Sequence, residues 1–205
     1  LNNVKKIIYA STFNVYKEDS SINTYNETSI CEPRSLLGIS KLTAENYIRV
    51  YGNFLGIKWN IFRMFNIYGP GQDQNNKFLG MISIFLNMAK KDPTIIVKGS
   101  LNRFRDFIFI DDVIKAWSLL IEDKKNYNKI YNLGSGEKCT IRNLLKEISI
   151  VLNKKLNIKE EPGTPGDFMG SVSDISRLKK DLGFKTDYDL KSGLKLFNDW
   201  LDKQK

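Results

Sequence analysis

Strand-like and helix-like segments alternate along the chain, and this alternation limits the folds that the chain can adopt. Residues 4–10 form an apolar, β-branched run that is typical of a buried strand. Apolar residues recur at helical spacing over residues 38–54, Gly56 is the expected helix end, and residues 58–65 are the next strand-like run. This order is typical of a parallel, doubly wound α/β sheet.

The same alternation continues downstream. We expect helices over residues 78–90, 111–121, 140–152 and 190–200. We expect strands over residues 94–97, 105–110 and 129–133. Residues 17–35 have the composition of a polar loop, and residues 66–71 that of a turn leaving a strand.

Composition excludes several classes of site. The 205 residues contain no histidine, and Cys31 and Cys139 lie far apart, so we expect no metal site and no histidine base. The longest apolar runs, such as residues 107–110, are far shorter than the roughly 20 residues of a membrane-spanning helix. No signal peptide opens the sequence, which favours a cytoplasmic location and no membrane partner.

The chain is basic, with a formal net charge of +9 and a pI near 9.4. Its lysines are spread among Asn and Ile instead of forming blocks, so we do not expect a nucleic-acid partner. A nucleic-acid binder would show strongly salt-dependent binding to oligonucleotides. Anionic small ligands such as diphosphates fit the charge equally well.

Five blocks of sequence carry a family resemblance. Together and in this order they resemble extended short-chain dehydrogenases/reductases, in the NAD-dependent epimerase/dehydratase group that acts on nucleotide sugars; the blocks are residues 9–16, 40–41, 62–71, 105–108 and 131–136. The resemblance implies an α/β fold that combines the C-terminal portion of a doubly wound, Rossmann-like sheet with a small α/β substrate-binding domain. It assigns residues 1–70 to a partial dinucleotide-binding domain and residues 71–205 mainly to nucleotide-sugar binding, with residues 100–135 returning to the Rossmann part.

The resemblance implies NAD as cofactor, but the chain lacks one part of an NAD site. A dinucleotide-binding domain opens with a strand, a Gly-rich turn and a helix that receives the pyrophosphate. No Gly-x-x-Gly-x-x-Gly or Gly-x-Gly-x-x-Gly turn occurs, because the glycines at 69 and 71 and at 134 and 136 are too close together. The full NAD site is therefore not contained in this chain.

The family's catalytic pair is Tyr-x-x-x-Lys, in which the tyrosine is the base and the lysine lowers its pKa and holds the nicotinamide ribose. In this chain Lys41 occupies the lysine position and Leu37 the tyrosine position, where leucine can neither accept nor donate a proton. Thr12 occupies the family's Ser/Thr position that hydrogen-bonds the reacting oxygen. Its alternative role is that of an ordinary cap at a strand end.

Further site residues follow from the same resemblance. The cofactor-binding set is Ala10, Ser11, Thr12, Lys41, Met64 and Phe65. The substrate-binding set is Asn66, Gly80, Met81, Lys98, Arg105 and Asp167. Local sequence leaves alternatives open: Met64 and Phe65 also read as core residues, and Arg105 could instead pair with Asp106, Asp111 or Asp112. Tyr16 is expected to pack with its hydroxyl at the surface.

Three functions are compatible with these residues. The leading one is an NAD-dependent epimerase that oxidises and reduces C4 of a UDP-linked sugar, present as a truncated or degenerate copy. The alternative is a catalytically silent protein that binds nucleotide sugars or another protein. A 4,6-dehydratase fits less well because residues 12–14 offer no acid–base pair.

The resemblance also implies a homodimer. The expected interface is formed by the helix over residues 38–54 and the helix that follows Phe78. We further expect the strand over residues 4–10 to present an unpaired hydrophobic edge or to have that edge covered by a partner.

Overall fold

The computed structural model describes residues 3–19, 21–72, 80–163 and 168–204. Asp167 lies outside these described residues. The strands are β1 (Lys6–Thr12), β2 (Thr24–Tyr25), β3 (Lys58–Met64), β4 (Asn66–Tyr68), β5 (Thr94–Lys98), β6 (Phe104–Arg105), β7 (Phe107–Phe109), β8 (Lys129–Leu133), β9 (Cys139–Thr140), β10 (Asn157–Glu161) and β11 (Gly170–Ser173). The helices are α1 (Leu36–Leu55), α2 (Met81–Lys91), α3 (Ile110–Glu122), α4 (Ile141–Val151), α5 (Ser176–Leu182) and α6 (Leu190–Lys203).

A parallel three-stranded sheet in the order β1, β3, β8 confirms the expected α/β architecture. The register pairs Thr12 with Met64, and Met64 with Leu133, so these three strands end together. In the described part of the chain β1 pairs with β3 alone. Among the described residues the other edge of β1 carries no strand, and a hydrophobic or partner-covered edge there stays a prediction.

Helix α1 begins and ends where its sequence allows. The Ser35 side chain caps the first turn by accepting a hydrogen bond from the Gly38 amide at 3.0 Å. Gly56 ends the helix in a left-handed conformation with φ of 67°. A Cβ atom at Gly38 would collide with the Asn14 carbonyl oxygen, so this glycine lets α1 approach the 3-10 turn Phe13–Val15 that follows β1.

The remaining strands form smaller sheets, and two sequence expectations were wrong here. Residues 66–68 are not a turn but strand β4, which pairs in parallel with β7. The single strand expected over residues 105–110 is broken at Asp106, because its carboxylate turns inward to bind backbone and hydroxyl groups. The short strands β2, β9, β10 and β11 were not anticipated, and neither was α5.

The described residues form three hydrophobic clusters in the interior. The first joins α2, β5, α4 and α6, and the second joins β3, β8, α3 and α5. The third is small and lies beside the end of β1; its buried members are Val15, Tyr16, Tyr25 and Phe65.

The apolar surfaces of α1 and α2 differ. Helix α2 buries Ile82, Phe85 and Leu86 in the first cluster, and its pairing with α1 in a dimer stays a prediction. Helix α1 instead exposes a row of large apolar side chains: Tyr47, Val50, Tyr51, Phe54 and Leu55. No helix among the described residues has the length and apolarity needed to cross a bilayer.

Candidate functional site

Thr12 is the last residue of β1. It therefore lies at the carboxyl ends of the parallel strands, where open α/β sheets bind their ligands. Its side-chain oxygen accepts a hydrogen bond from the Asn14 amide at 3.3 Å and so caps the 3-10 turn. The capping role is therefore present. The side chain is half-buried.

Lys41 reaches from α1 to the same strand. Its Nζ donates to the Ala10 carbonyl oxygen at 2.8 Å and lies 4.9 Å from the centre of the Tyr9 ring. The ammonium group is thus held against β1, two residues before Thr12. This is the positive charge expected near the end of the strand.

Leu37 lies in the first turn of α1, one turn before Lys41, on the same side of the helix. Its side chain is 51% exposed, and its neighbour Leu36 is 87% exposed. Position 37 is therefore accessible, and its side chain carries no proton-transferring group.

A buried carboxylate connects α1 to the two strands that carry the site. Glu45 accepts hydrogen bonds from Ser11 Oγ at 2.5 Å and from Arg63 Nη2 at 2.7 Å. The Ser11 side chain therefore points into the layer between the sheet and α1. It binds Glu45 and does not point toward the end of the strand. Although burial opposes it, the hydrogen bonds with Glu45 hold the pKa of Arg63 above its usual value.

Tyr16 belongs to the same buried network. Its hydroxyl donates to Asn132 Oδ1 at 2.6 Å, and the Arg63 guanidinium lies 4.8 Å from its ring centre. The expectation of a surface hydroxyl was therefore wrong. Burial raises the pKa of the phenol, so Tyr16 is no base at neutral pH. The sequence analysis did not identify Glu45 or Arg63. The one sequence feature that pointed to Glu45 is its position one helical turn after Lys41.

Met64 and Phe65 end β3 and follow it. Phe65 is buried, and its ring stacks on Phe13 with 5.2 Å between ring centres. Met64 is half-buried against the second hydrophobic cluster. Both side chains pack in the interior, which is the alternative that the sequence left open.

Asn66 is fixed at the start of β4. Its backbone amide and its side-chain Nδ2 both donate to the Asp106 carbonyl oxygen, at 3.1 and 2.9 Å. The Asp106 carboxylate is buried and accepts hydrogen bonds from Ser135, Gly136 and Ser173. Asp106 thus holds the end of β8, β11 and Asn66 in one cluster.

Arg105 leaves β6 beside the Phe168 ring, with 6.0 Å from the guanidinium carbon to the ring centre. Its Nη1 donates to the Phe104 carbonyl oxygen at 2.7 Å and approaches the carbonyl oxygens of Phe168 and Met169 at 3.5 and 3.4 Å. The guanidinium group is held by backbone and by an aromatic surface.

The other expected substrate residues lie on separate elements. Gly80 is the exposed residue before α2, Met81 is half-buried against the first cluster, and Lys98 is exposed at the end of β5. A wide cleft of about 780 Å³ lies between the start of α4 and residues 186–192, and none of the expected site residues lines it.

Comparison with known proteins decides the family. The model of the NAD dependent epimerase/dehydratase family matches residues 1–134, more than half of the chain. The chain belongs to this family. A putative UDP-glucose 4-epimerase of Methanocaldococcus jannaschii is 30% identical over 198 residues, which are 97% of this chain and 63% of the relative.

Two solved epimerases have the same fold. UDP-glucose 4-epimerase of Thermotoga maritima, solved with UDP-glucose, is 30% identical with a TM-score of 0.91 over 98% of this chain and 65% of its own. UDP-N-acetylglucosamine 4-epimerase of Methanobrevibacter ruminantium, in complex with UDP-N-acetylmuramic acid, is also 30% identical, with a TM-score of 0.91 over 100% of this chain and 65% of its own. The family member described here thus spans less than two-thirds of these relatives.

The residues present fit NAD at one end of the cofactor. Lys41 supplies a cation beside the open edge of β1, which suits the nicotinamide ribose. The pyrophosphate needs a Gly-rich turn after a strand, and the 205 residues contain none. Of the residues described above, Lys41 would hold the nicotinamide ribose of a bound NAD.

Proposed function

We propose that this family member binds a UDP-linked sugar between Thr12, Asn66 and Arg105 and does not by itself carry out C4 epimerisation. It corresponds to an NAD-dependent nucleotide-sugar epimerase in degenerate form. The observation that carries the proposal is Leu37, an apolar and half-exposed side chain one helical turn before Lys41.

Each side chain has a part in sugar binding. The Thr12 hydroxyl, which already accepts the Asn14 amide, keeps its own O–H to donate to the sugar oxygen at C4. Asn66 Nδ2 is bound to Asp106, which leaves Oδ1 to accept from a sugar hydroxyl. Arg105 offers forked donors to diphosphate oxygens.

The lack of a proton acceptor explains why we expect binding of the sugar without turnover. Oxidation at C4 removes a hydride and a proton; NAD, when bound, supplies the hydride acceptor. The proton needs a base, and a phenol near pKa 10 serves only when a cation lowers its pKa. Lys41 supplies the cation, but Leu37 offers no oxygen.

The proposal is tested by turnover and binding on the same preparation. UDP-glucose or UDP-N-acetylglucosamine with added NAD should give rates indistinguishable from background, while calorimetry should detect binding of the UDP-sugar. Activity should return in Leu37→Tyr only if a Gly-rich NAD-binding segment is also present. Turnover by the unmodified chain would refute the proposal, and so would loss of all UDP-sugar binding.

The division into a partial dinucleotide-binding part over residues 1–70 and a mainly sugar-binding part over residues 71–205 stays part of the proposal. So does a homodimer. The row of exposed apolar side chains on α1, which includes the stacked rings of Tyr47 and Tyr51, supports pairing of α1 with a second copy.

A further inference from the structure

Lysines that lie far apart in the sequence come together at one edge of the parallel sheet. Parallel strands begin at the same edge, and the register pairs Lys6 at the start of β1 with Lys58 at the start of β3. The Lys58 amide also donates to the Lys5 carbonyl oxygen at 3.1 Å. The segment that follows α3 reaches the same place. We call this surface the basic edge; its members are Lys5, Lys6, Lys58, Lys124, Lys125 and Tyr127.

Contacts between the elements fix the basic edge. Lys6 Nζ donates to the Leu120 carbonyl oxygen and approaches the Asp123 carbonyl oxygen at 3.3 Å, so the end of α3 lies against the start of β1. The centre of the Tyr127 ring lies 5.2 Å from Lys6 Nζ and 5.8 Å from Lys58 Nζ, within the range of cation–π attraction. The chain between α3 and Tyr127 is therefore held beside the starts of β1 and β3.

The basic edge carries unpaired positive charge. Its exposed lysines have no carboxylate partner among the described residues; they are Lys5, Lys58, Lys124 and Lys125. Glu122 and Asp123 are the acidic residues that adjoin them in the chain. The Asp123 carboxylate accepts the backbone amides of Lys125 and Asn126 at 3.2 and 2.6 Å, so it is already bound. The edge thus presents an excess of ammonium groups to a polyanion.

Apolar side chains beside these lysines indicate which polyanion fits. Ile121, in the last turn of α3, is 63% exposed, and Val4, directly before Lys5, is 50% exposed. The phosphates of a nucleic acid gain nothing from apolar side chains, whereas a bilayer interface takes them up while its anionic headgroups attract lysines. Single-stranded nucleic acids also need aromatic rings for stacking, and the Tyr127 ring already contacts two ammonium groups.

The basic edge lies at the opposite end of the strands from the proposed sugar site. Thr12 and Met64 end β1 and β3, whereas Lys6 and Lys58 begin them. A strand of this length spans roughly 20 Å. A surface that is bound at the basic edge therefore leaves the carboxyl ends of the strands open to small ligands.

We propose that the basic edge docks this family member onto an anionic membrane surface. The lysines face the charged headgroups, and Ile121 and Val4 enter the interface between headgroups and acyl chains. The sequence-based expectation of no membrane partner rested on the lack of a signal peptide and of a spanning helix, and a peripheral contact needs neither. The inference does not depend on sugar binding and requires no chemical step.

Co-sedimentation of the full chain with lipid vesicles tests this docking. The chain should sediment with phosphatidylcholine vesicles that contain phosphatidylglycerol, stay in solution with phosphatidylcholine alone, and lose binding as salt is added. Lys124→Gln combined with Lys125→Gln should lower the partition coefficient at least about tenfold. The matched control is Lys191→Gln combined with Lys195→Gln, which removes the same charge from exposed positions on α6 and should change the coefficient less than about twofold.

A second pair of variants tests the apolar part of the contact. Ile121→Ser should weaken binding to the anionic vesicles about fivefold, because a polar side chain gains nothing from the interface. Ile114→Ser, at an exposed apolar position two turns earlier on the same side of α3, should leave binding unchanged.

The possible outcomes decide the inference. It is overturned if the chain binds phosphatidylcholine vesicles equally well, or if the two double variants bind alike. It also fails if Ile121→Ser and Ile114→Ser bind alike, because the edge then makes no bilayer contact. A single-stranded oligonucleotide that binds as tightly as the anionic vesicles, and less tightly to the Lys124 and Lys125 variant, would make the edge a nucleic-acid surface instead. Circular dichroism shows that each variant is folded, and UDP-sugar binding by calorimetry should be the same in all of them.

Discussion

Arg63 and Glu45 form an ion pair that is closed off from water between β3 and α1. Arg63 Nη2 lies 2.7 Å from Glu45 Oε2, and the two side chains are 4% and 1% exposed. The same carboxylate accepts the Ser11 hydroxyl, so one group links β1, β3 and α1. Thr12 and Lys41 lie on β1 and α1, and Asn66 follows β3. The Arg63–Glu45 pair therefore helps to fix the positions of the proposed site residues.

Glu45→Gln should lower the free energy of unfolding by about 3–5 kcal/mol, because it leaves the buried Arg63 charge without its partner. Urea unfolding followed by circular dichroism measures the loss. The control is Glu32→Gln, which breaks the exposed pair with Lys17 and should leave the unfolding midpoint unchanged. Replacing both members, Glu45→Leu with Arg63→Met, should recover much of the stability. Equal midpoints for Glu45→Gln and Glu32→Gln would contradict the argument.

The sequence predicted the long elements α1, β1, β3 and β8, because each is long enough to carry a helical or strand-like pattern by itself; β3, for example, is an apolar run that is buried from Trp59 to Arg63. It failed at short pairings such as β4, where two or three residues gain strand geometry from a distant partner. It also failed at Tyr16, because a phenol that packs at a surface and one that donates to Asn132 have the same local sequence. Buried charges such as Glu45 were missed for the same reason.

Asp181 should make stability depend on pH. Burial raises the pKa of this carboxyl, but hydrogen bonds from Lys129 at 2.7 Å and Tyr131 at 3.0 Å outweigh burial and hold the pKa below its usual value. Because the folded pKa is lower than the unfolded value of about 3.9, the stabilisation is present above that value and is lost as pH falls through the folded pKa.

Asp181→Asn should therefore cost about 1–3 kcal/mol of unfolding free energy at pH 7. The difference from the unmodified chain should shrink as the pH falls below about 4. Urea unfolding at a series of pH values measures both. Asp199→Asn, at an exposed position on α6, serves as control and should give a small difference at every pH. If the loss of unfolding free energy in Asp181→Asn did not change with pH, the ionised carboxylate could not be the cause of that loss.

The exposed row on α1 should mediate self-association. Phe54 belongs to this row and is 82% exposed. Phe54→Glu should raise the dimer dissociation constant at least about tenfold, because it places a charge in the interface. Analytical ultracentrifugation measures the constant. Ile114→Glu, at an exposed apolar position on α3, should leave the constant unchanged. An unmodified chain that is monomeric at high micromolar concentration would rule out this interface.

Leu37→Tyr should create a phenol whose pKa lies below the ordinary value of about 10, because position 37 lies one helical turn before Lys41 and the lysine charge favours the phenolate. The matched control is Leu36→Tyr, in the same turn but on another side of the helix, whose phenol should titrate near 10. Tyrosine labelled with ¹³C adds one resonance in each variant, and its chemical shift against pH gives the two pKa values. A lower pKa at position 37 would show that the cation of the catalytic pair remains in place and that leucine alone removes the base. Equal values would mean that Lys41, held by the Ala10 carbonyl, does not act on position 37.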